Sequence, residues 1–289
     1  MRASLRGAIS TGGARLRYCV EGSGRPALVI GSSIYYPRTF SARLRESLRL
    51  AFVDVRHFAE PDAAPGLDDI SLDSYMADLE LLRDQLRLER FVVIGHSHHG
   101  NLALEYAKRY PARVSHVVLI GSPPLDVGSI VQAAERYWEE HASAERKAVL
   151  EQRLGVLGKV DLERMSPAQA YVTRYLADAP RYWFDPAYDG AHLWRDMPIN
   201  MDAVRGFRSF FADGYVMDWD PESLAAPVLV VMGRCDYAVP PVLWDEVRPA
   251  LRNLTLRVFE QSGHTPQLEE PERFDRVLLE WLDCAASTH

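Results

Sequence analysis

Six short apolar runs, rich in Val and Ile, recur along the chain and constrain its fold more than any other feature. They are residues 27–30, 51–55, 91–94, 117–120, 228–232 and 254–259. Runs of this length are typical of strands in a parallel sheet, because helices cover both faces of such a sheet. Glycine follows four of the runs, at Gly31, Gly95, Gly121 and Gly233. The sequence therefore predicts a mostly parallel sheet.

Helical patterns separate these runs. After the second run, apolar residues recur at spacings of three and four, which places them on one face of a helix. They are Leu72, Met76, Leu79, Leu82 and Leu86. Further helices are predicted at residues 101–110, 240–251 and 271–282. Strands that alternate with helices predict an α/β fold with right-handed crossovers.

Two segments near the N-terminus carry other patterns. Residues 15–21 alternate apolar and polar side chains, which predicts an antiparallel edge strand. Residues 43–49 combine arginines with periodic leucines, which predicts an amphipathic helix with a solvated face.

The alternation disappears between residues 124 and 225 and is replaced by helical patterns. We predict a core domain of residues 1–123 and 226–289, with residues 124–225 inserted as a helical cap. A long insertion at one end of a sheet usually serves as a lid or binding element. The insertion is rich in aromatic residues, and we expect most of them in its own core and a minority in a pocket. They are Tyr137, Trp138, Tyr171, Tyr175, Tyr182, Trp183, Phe184, Trp194, Phe207, Phe210, Phe211 and Trp219.

The composition excludes several classes of protein. Apolar residues make up 47% and charged residues 25% of the 289 residues, which is the balance of a packed globular protein. The 33 basic and 40 acidic residues give a net charge of −7 and form no basic block, so we expect no nucleic-acid partner.

Other features of the sequence predict a soluble cytoplasmic protein with no membrane partner. Residues 1–13 lack the apolar core of a signal peptide, and the longest apolar runs are far shorter than the ~20 residues that span a bilayer. Cys19, Cys235 and Cys284 cannot all pair and lack metal-ligand spacing, which favours a reducing compartment. The oligomeric state stays open.

Ser97 lies where the third apolar run gives way to a helix, in the segment FVVIGHSHHG. A serine on such a sharp turn projects its hydroxyl above the carboxyl edge of the sheet, with a helix N-terminus behind it. Gly95 removes a side chain that would collide within the turn. The alternative is a plain helix N-cap, but the strand–turn–helix pattern favours a nucleophile.

Asp236 and His264 each follow a later strand, Asp236 in the segment GRCDYAVPP and His264 in SGHTPQ. A serine hydroxyl needs a base, and the base needs a carboxylate that orients it. Because sites in open α/β sheets form at the carboxyl ends of strands, we expect Ser97, Asp236 and His264 to meet there. A histidine in such a loop is otherwise most often a surface residue.

The sequence resembles the α/β-hydrolase superfamily over nearly its whole length, and within it a branch of proline-iminopeptidase-like enzymes and esterases. The resemblance lies in VVIGHSHHGNLALEYAKRYPARVSHVVLIGSPP, VLVVMGRCDYAVPP and SGHTPQLEEPERF. It implies the α/β-hydrolase fold, a mostly parallel sheet flanked by helices with a helical cap. It also implies Ser97 as nucleophile, Asp236 as acid and His264 as base of a catalytic triad.

The same resemblance implies an oxyanion hole made of two backbone N–H groups. One belongs to His98, which follows the nucleophile. We assign the other to Ser32, in the loop after the first apolar run. Removing one such donor typically lowers turnover about 10²–10³-fold.

Two features depart from the family pattern. His99 stands where a small residue is usual, with the glycine displaced to Gly100, and we expect this side chain to crowd the sheet and reshape the turn. The His-Gly-Gly-Pro-Gly loop of proline iminopeptidases is absent, and residues 31–36 replace it with GSSIYY. The second departure argues against transferring the peptidase activity directly.

Other polar residues have competing interpretations. His96, His98 and His99 lack the spacing and acidic partners of a metallohydrolase, so we predict no metal and no cofactor. For Asp54, Arg56 and His57 we favour structural roles, with the two charges in buried pairing. The alternative for His57 is a place near the active site. Glu139 and Glu140 are candidates for binding a substrate amine, although a solvated helix face is the better interpretation.

These observations favour a serine hydrolase that cleaves a small carboxylic ester or lactone, with the cap closing over an apolar acyl pocket. The first alternative is a proline-iminopeptidase-like aminopeptidase or amidase, which requires carboxylates of the cap to converge on the site. The second is a ligand-binding member of the fold without hydrolytic activity. In each case the partner is a small molecule whose acyl and leaving groups the sequence does not define.

Overall fold

A nine-stranded mixed sheet organises the part of the chain that the computed structural model describes, residues 4–11, 14–61, 70–212, 215, 224–245, 247–248 and 253–286. Its strands are β1 (Leu5–Thr11), β2 (Ala14–Gly22), β3 (Arg25–Gly31), β4 (Leu48–Asp54), β5 (Glu60–Pro61), β6 (Phe91–His96), β7 (Val114–Ile120), β8 (Val228–Gly233) and β9 (Leu254–Phe259). All six predicted apolar runs lie in or overlap strands, which confirms that prediction.

The strand order is β1-β2-β4-β3-β6-β7-β8-β9, with β5 paired to β2. From β4 to β9 every pairing is parallel, whereas β1, β2 and β5 pair antiparallel. The chain leaves β3 toward β4 on one side and returns to β6 on the other side. Ligand sites of open α/β sheets form at such a reversal, outside the carboxyl ends of the strands. Here those ends carry Gly31 and His96, each directly before a predicted site residue.

The helices are α1 (Leu44–Ser47), α2 (Leu72–Gln85), α3 (His98–Arg109), α4 (Val127–His141), α5 (Ala144–Leu157), α6 (Pro167–Ala177), α7 (Ala179–Tyr182), α8 (Ala191–Trp194), α9 (Met201–Ala212), α10 (Pro266–Glu269) and α11 (Pro271–Ala286). Helix α3 packs on β3, β6 and β7, and every residue of the central strand β6 is buried. Helices α4 to α9 all lie between β7 and β8, as expected for an insertion. The domain boundaries at residues 123 and 226 stay a prediction.

Three local predictions differ from the structure. Strand β2 is not an edge strand, because the polar segment β1 pairs along it from Leu5 opposite Val20 to Thr11 opposite Ala14. The helix predicted over residues 43–49 is the single turn α1, since Leu48 already begins β4. At 240–251 a short 3₁₀ turn, Pro241–Trp244, replaces the predicted helix at its start. Residues 246 and 249–251 of that prediction lie outside the described residues.

Among the described helices, none combines the length and the apolar character needed to cross a bilayer.

Candidate active site

Ser97 occupies the turn between β6 and α3 with a backbone that non-glycine residues rarely adopt, φ 55° and ψ −136°. Such a conformation costs about 1–3 kcal/mol and persists only where the surrounding structure enforces it. Two close approaches enforce it here. A Cβ on Gly95 would overlap the carbonyl oxygen of His99, and a Cβ on Gly100 would overlap the side chain of Ser122. The turn therefore has the sharp strand-to-helix geometry predicted for a nucleophile.

Asp236 and His264 form a buried hydrogen-bonded pair. Asp236 follows β8, His264 follows β9, and His264 Nδ1 lies 2.7 Å from Asp236 Oδ2. The second carboxylate oxygen accepts the backbone N–H groups of Ala238 and Val239, at 3.1 and 2.8 Å. Since a carboxylate only accepts, His264 donates to it from Nδ1, and in the neutral ring Nε2 is then the nitrogen that can accept a proton.

Ser97 and His264 line the same cavity, together with His98. No hydrogen bond joins the Ser97 hydroxyl to the His264 ring, as is common in unliganded sites of this kind. Ser32 is fully buried and is not among the residues that line the cavity. The structure thus brings three of the predicted site residues to one cavity, with Asp236 behind His264, and places Ser32 behind the cavity wall.

The loop that contains Ser32 is held by its own side chains. Ser32 Oγ accepts the N–H groups of Ile34 and Tyr35, at 3.2 and 3.1 Å. Asp54 Oδ1 accepts the N–H of Ser33 at 2.6 Å, while Asp54 Oδ2 pairs with Arg17 Nε at 3.0 Å. Asp54 therefore fixes the loop that carries the predicted second oxyanion donor.

Beneath the turn, His99 is accommodated by specific contacts and does not crowd the sheet. Gly31, with φ 140°, leaves the space that His99 and Tyr36 fill together. His99 Nδ1 lies 2.9 Å from the Tyr36 hydroxyl, and His99 Nε2 lies 2.9 Å from His57 Nε2. The expected reshaping of the turn is therefore wrong, because this chain stabilises the larger residue with polar partners.

These contacts belong to a longer buried chain of hydrogen bonds. The Tyr36 hydroxyl also lies 3.2 Å from His96 Nδ1, and His96 Nε2 lies 2.8 Å from the carbonyl oxygen of His264. At the other end, His57 Nδ1 lies 3.1 Å from the Tyr75 hydroxyl. The chain therefore runs without interruption from Tyr75 to the backbone of the predicted base.

Two conditions determine where every proton of this chain lies. Burial lowers the pKa of His57 and of His96 to about 3 and that of His99 well below its usual value, so each ring carries one proton at neutral pH. A carbonyl oxygen only accepts, so His96 donates from Nε2 and accepts at Nδ1 from Tyr36. It follows that His99 donates from Nδ1.

The remaining donors follow in the same direction. His99 Nε2 accepts from His57 Nε2, and His57 Nδ1 accepts from Tyr75. The N–H of His264 in turn donates to the carbonyl oxygen of Tyr182 at 2.6 Å. The backbone of His264 is thus held from the cap side by Tyr182 and from the sheet side by His96.

Replacing His99 with glutamine is expected to make the protein less sensitive to acid. A buried neutral histidine gains a proton on unfolding, so stability falls as the pH drops below about 6.5 toward the folded pKa. Each such histidine costs about 1.4 kcal/mol of unfolding free energy at pH 5.5 relative to pH 7.5. Urea unfolding at pH 7.5 and at pH 5.5 measures how much unfolding free energy is lost on acidification. This loss should be about 1.4 kcal/mol smaller in His99→Gln than in the wild type.

The exposed His192 provides the control for this measurement, because His192→Gln should leave the acid loss unchanged. Comparing losses within each variant removes any direct effect of the substitution on stability. If the unfolding free energies of His99→Gln and of the wild type fell equally on acidification, His99 would bind a proton as readily in the folded protein as in the unfolded one, which would contradict the prediction.

A cavity of about 810 Å³ lies over Ser97, between the turn and the cap. One face of α6 and one face of α9 form its outer wall. Six of the twelve aromatic residues singled out in the insertion line it: Tyr171, Tyr175, Tyr182, Trp194, Phe207 and Phe211. Four of the six lie on α6 and α9, Tyr182 lies on α7 and Trp194 on α8. Six of the eleven described residues of this set therefore line the cavity, and the expectation of a minority is wrong. Trp219 lies outside the described residues.

The remaining polar candidates divide between the site and the surface. Glu139 and Glu140 are exposed and do not line the cavity, and Glu139 pairs with Lys147. Arg56 forms a buried ion pair with Asp78, at 2.6 Å. Glu139 and Glu140 therefore lie on a solvated helix face, and Arg56 forms a buried pair, as the structural interpretation of each residue predicted.

His57, by contrast, lines the cavity as part of the hydrogen-bonded chain. The sequence favours a structural role for His57 and leaves a place near the site as the alternative, because no periodicity reveals that residues 57 and 99 face each other. Among the described residues, no group of three His, Cys, Asp or Glu side chains is arranged to hold a metal ion.

Comparison with known proteins agrees with this architecture. A family model for the α/β hydrolase fold matches residues 24–271. The chain is 36% identical over 270 residues to the AB hydrolase superfamily protein YclE of Bacillus subtilis (strain 168), covering 93% of this chain and 95% of that protein.

Solved structures show the same fold at lower identity. An α/β fold family hydrolase from Bacillus anthracis str. Sterne has a TM-score of 0.70 at 18% identity, covering 98% of this chain and 99% of that one. A proline iminopeptidase from Mycobacterium smegmatis has a TM-score of 0.66 at 19% identity, covering 98% of each chain. The chain therefore belongs to the α/β-hydrolase family of hydrolases.

Proposed function

We propose that the protein is a serine hydrolase that cleaves a small carboxylic ester or lactone through an acyl-enzyme on Ser97. The observation that supports this most directly is the buried Asp236–His264 pair, which fixes Nδ1 as the donor so that Nε2 of the neutral ring can accept a proton, while His264 lines the same cavity as Ser97. This arrangement supplies a base, a carboxylate that orients it, and a hydroxyl on a strained turn.

In the proposed reaction, Ser97 Oγ attacks the substrate carbonyl while His264 Nε2 takes the hydroxyl proton. The negative charge on the carbonyl oxygen is stabilised by the backbone N–H of His98, whereas Ser32, the other predicted donor, does not line the cavity. When the C–O bond to the leaving group breaks, the imidazolium returns the proton to the departing alkoxide. Water then attacks the acyl-enzyme with His264 again as base, which releases the acid and regenerates Ser97.

The cavity wall bears on the choice between ester and peptide substrates. An aminopeptidase must bind a free ammonium group, and a carboxylate is its natural partner. Glu139 and Glu140 do not line the cavity, and Asp178, which does, lies 3.6 Å from the guanidinium of Arg181. An ester or lactone without an ammonium group needs no such partner.

The likeness to a proline iminopeptidase keeps an amide-cleaving activity as the second candidate. The third, a ligand-binding protein without hydrolytic activity, would not require the strained backbone at Ser97 or the oriented His264. Both alternatives differ from the proposal in what the protein does to simple model substrates.

A panel of p-nitrophenyl esters from acetate to octanoate, tested beside the Pro- and Ala-p-nitroanilides, distinguishes these functions. We expect ester turnover to exceed anilide turnover, with an optimum chain length set by the cavity of about 810 Å³. Turnover of the anilides above that of the esters would instead establish the peptidase. Failure of the folded protein to cleave either class or to react with a fluorophosphonate would contradict the proposal.

A further inference from the structure

Two arginine side chains line the cavity from the cap. Arg174 lies on the face of α6 that also presents Tyr171 and Tyr175, and Arg208 lies on the face of α9 that also presents Phe207. Both arginines are exposed, so each side chain reaches solvent as well as the cavity. An apolar ligand that covered either charge would cost free energy, whereas an anionic group of the ligand would pair with it.

Neither guanidinium has a carboxylate partner among the described residues. Arg208 stacks over the ring of Tyr171, with its central carbon 5.4 Å from the ring centroid. This stacking orients the guanidinium without neutralising it. The neighbouring arginines behave differently, since Arg205 pairs with Asp202 and Arg181 pairs with Glu135.

The charge of Arg208 changes the pKa of ionisable groups near Ser97 and His264. Burial and the charges of His264 and Arg208 lower the pKa of His98 to about 4. Burial raises the pKa of Tyr171 and of Tyr182, and the Arg208 charge opposes that rise in both. The charge of Arg208 therefore influences ionisable groups that line the cavity between the cap and the turn at Ser97.

The charges that line the cavity do not balance. Its charged residues, among those described, are Arg174, Arg208 and Asp178. Burial raises the pKa of Asp178 to about 6, and the carboxylate is already paired with Arg181. The described residues that line the cavity therefore carry an excess of positive charge, although the whole chain carries a net charge of −7.

We propose that Arg174 and Arg208 form a subsite for an anionic group, so that the preferred substrate is an ester or lactone that carries a second, free carboxylate. Guanidinium groups bind carboxylates through charged hydrogen bonds that are about twice as strong as neutral ones. The aromatic wall binds the chain between the two ends of such a substrate. This inference rests on the proposed ester hydrolysis and specifies its substrate class.

A set of ethyl esters that differ only in terminal charge tests the subsite. The substrates are monoethyl adipate, ethyl hexanoate and ethyl 6-(trimethylammonio)hexanoate, with release of ethanol as the readout. Acetate esters of 4-hydroxybutanoate and of butanol repeat the comparison on the leaving-group side. We expect kcat/KM to be highest for the anionic member of at least one set, and this advantage to shrink as ionic strength rises.

The double variant Arg174→Gln/Arg208→Gln should lower kcat/KM for the anionic ester about 10–100-fold more than it lowers kcat/KM for the neutral ester. Arg205→Gln is the matched control, because Arg205 lies on the same helix but does not line the cavity. It should leave the ratio of anionic to neutral turnover unchanged.

The outcomes separate the two proposals. If the wild type cleaves neutral and anionic esters equally well, and the double variant keeps that ratio, the subsite is refuted while the ester hydrolase stands. If the folded wild type cleaves no ester of any charge, the proposed function itself fails. A preference for the cationic ester would overturn the subsite and support the amine-binding alternative.

Discussion

Replacing Ser97 with alanine is expected to lower kcat for an activated ester by about 10⁶-fold, to a rate set by binding and the oxyanion donors alone. In the proposed mechanism no other group forms the acyl-enzyme, since Ser97 is the only serine, threonine or cysteine among the described residues that line the cavity with His264. The variant should also fail to form the covalent adduct that a fluorophosphonate gives with the wild type. Intact-protein mass spectrometry after labelling measures that adduct.

The substitution is conservative for the structure, which makes the test clean. Alanine accepts the strained backbone about as poorly as serine does, so the stability of the turn should change little. Ser10→Ala, on the exposed strand β1, is the matched control and should keep wild-type turnover and labelling. Labelling of Ser97→Ala at the wild-type rate would show that the nucleophile lies elsewhere.

The sheet and the position of the site were predictable because burial on both faces leaves a direct mark on the sequence. The strands β3, β6, β7 and β8 are each almost entirely apolar, and glycine ends or follows each run where the backbone must turn closely. Strand β1 has no comparable apolar run in its sequence. Its side chains are mostly half-exposed, and its pairing with β2 depends on backbone hydrogen bonds that any sequence can form.

The polar interior was not predictable for a different reason. His57 and His99 are 42 positions apart in the sequence and lie on different elements. Neither histidine, considered singly, shows in the sequence that it pairs with the other. The residues that line the cavity from α6 and α9 were not predictable either, because this too depends on tertiary packing. Which face α6 and α9 turn toward Ser97 is set by tertiary packing, so Arg174 and Arg208 could not be distinguished from the other arginines of the insertion.

Replacing Asp236 with asparagine is expected to lower kcat by about 10⁴-fold while the protein stays folded. The reason lies in the two backbone N–H groups of Ala238 and Val239, which donate to Oδ1 at 3.1 and 2.8 Å. They hold the amide oxygen of the asparagine in that position, so its NH₂ group faces His264 Nδ1. An NH₂ group donates, so Nδ1 must then accept, and the ring proton moves to Nε2.

With the proton on Nε2, His264 cannot take the proton of Ser97, and the imidazolium loses the charge that stabilises it. Because hydrogen bonding to Ala238 and Val239 is preserved, the loss should appear in kcat with little change in KM or in the unfolding midpoint. Asp161→Asn, at an exposed ion pair with Arg164 in the cap, is the control and should retain full activity. An Asp236→Asn protein with kcat within about tenfold of the wild type would mean that the carboxylate does not set the protonation of His264, and the proposed triad would need another orienting group.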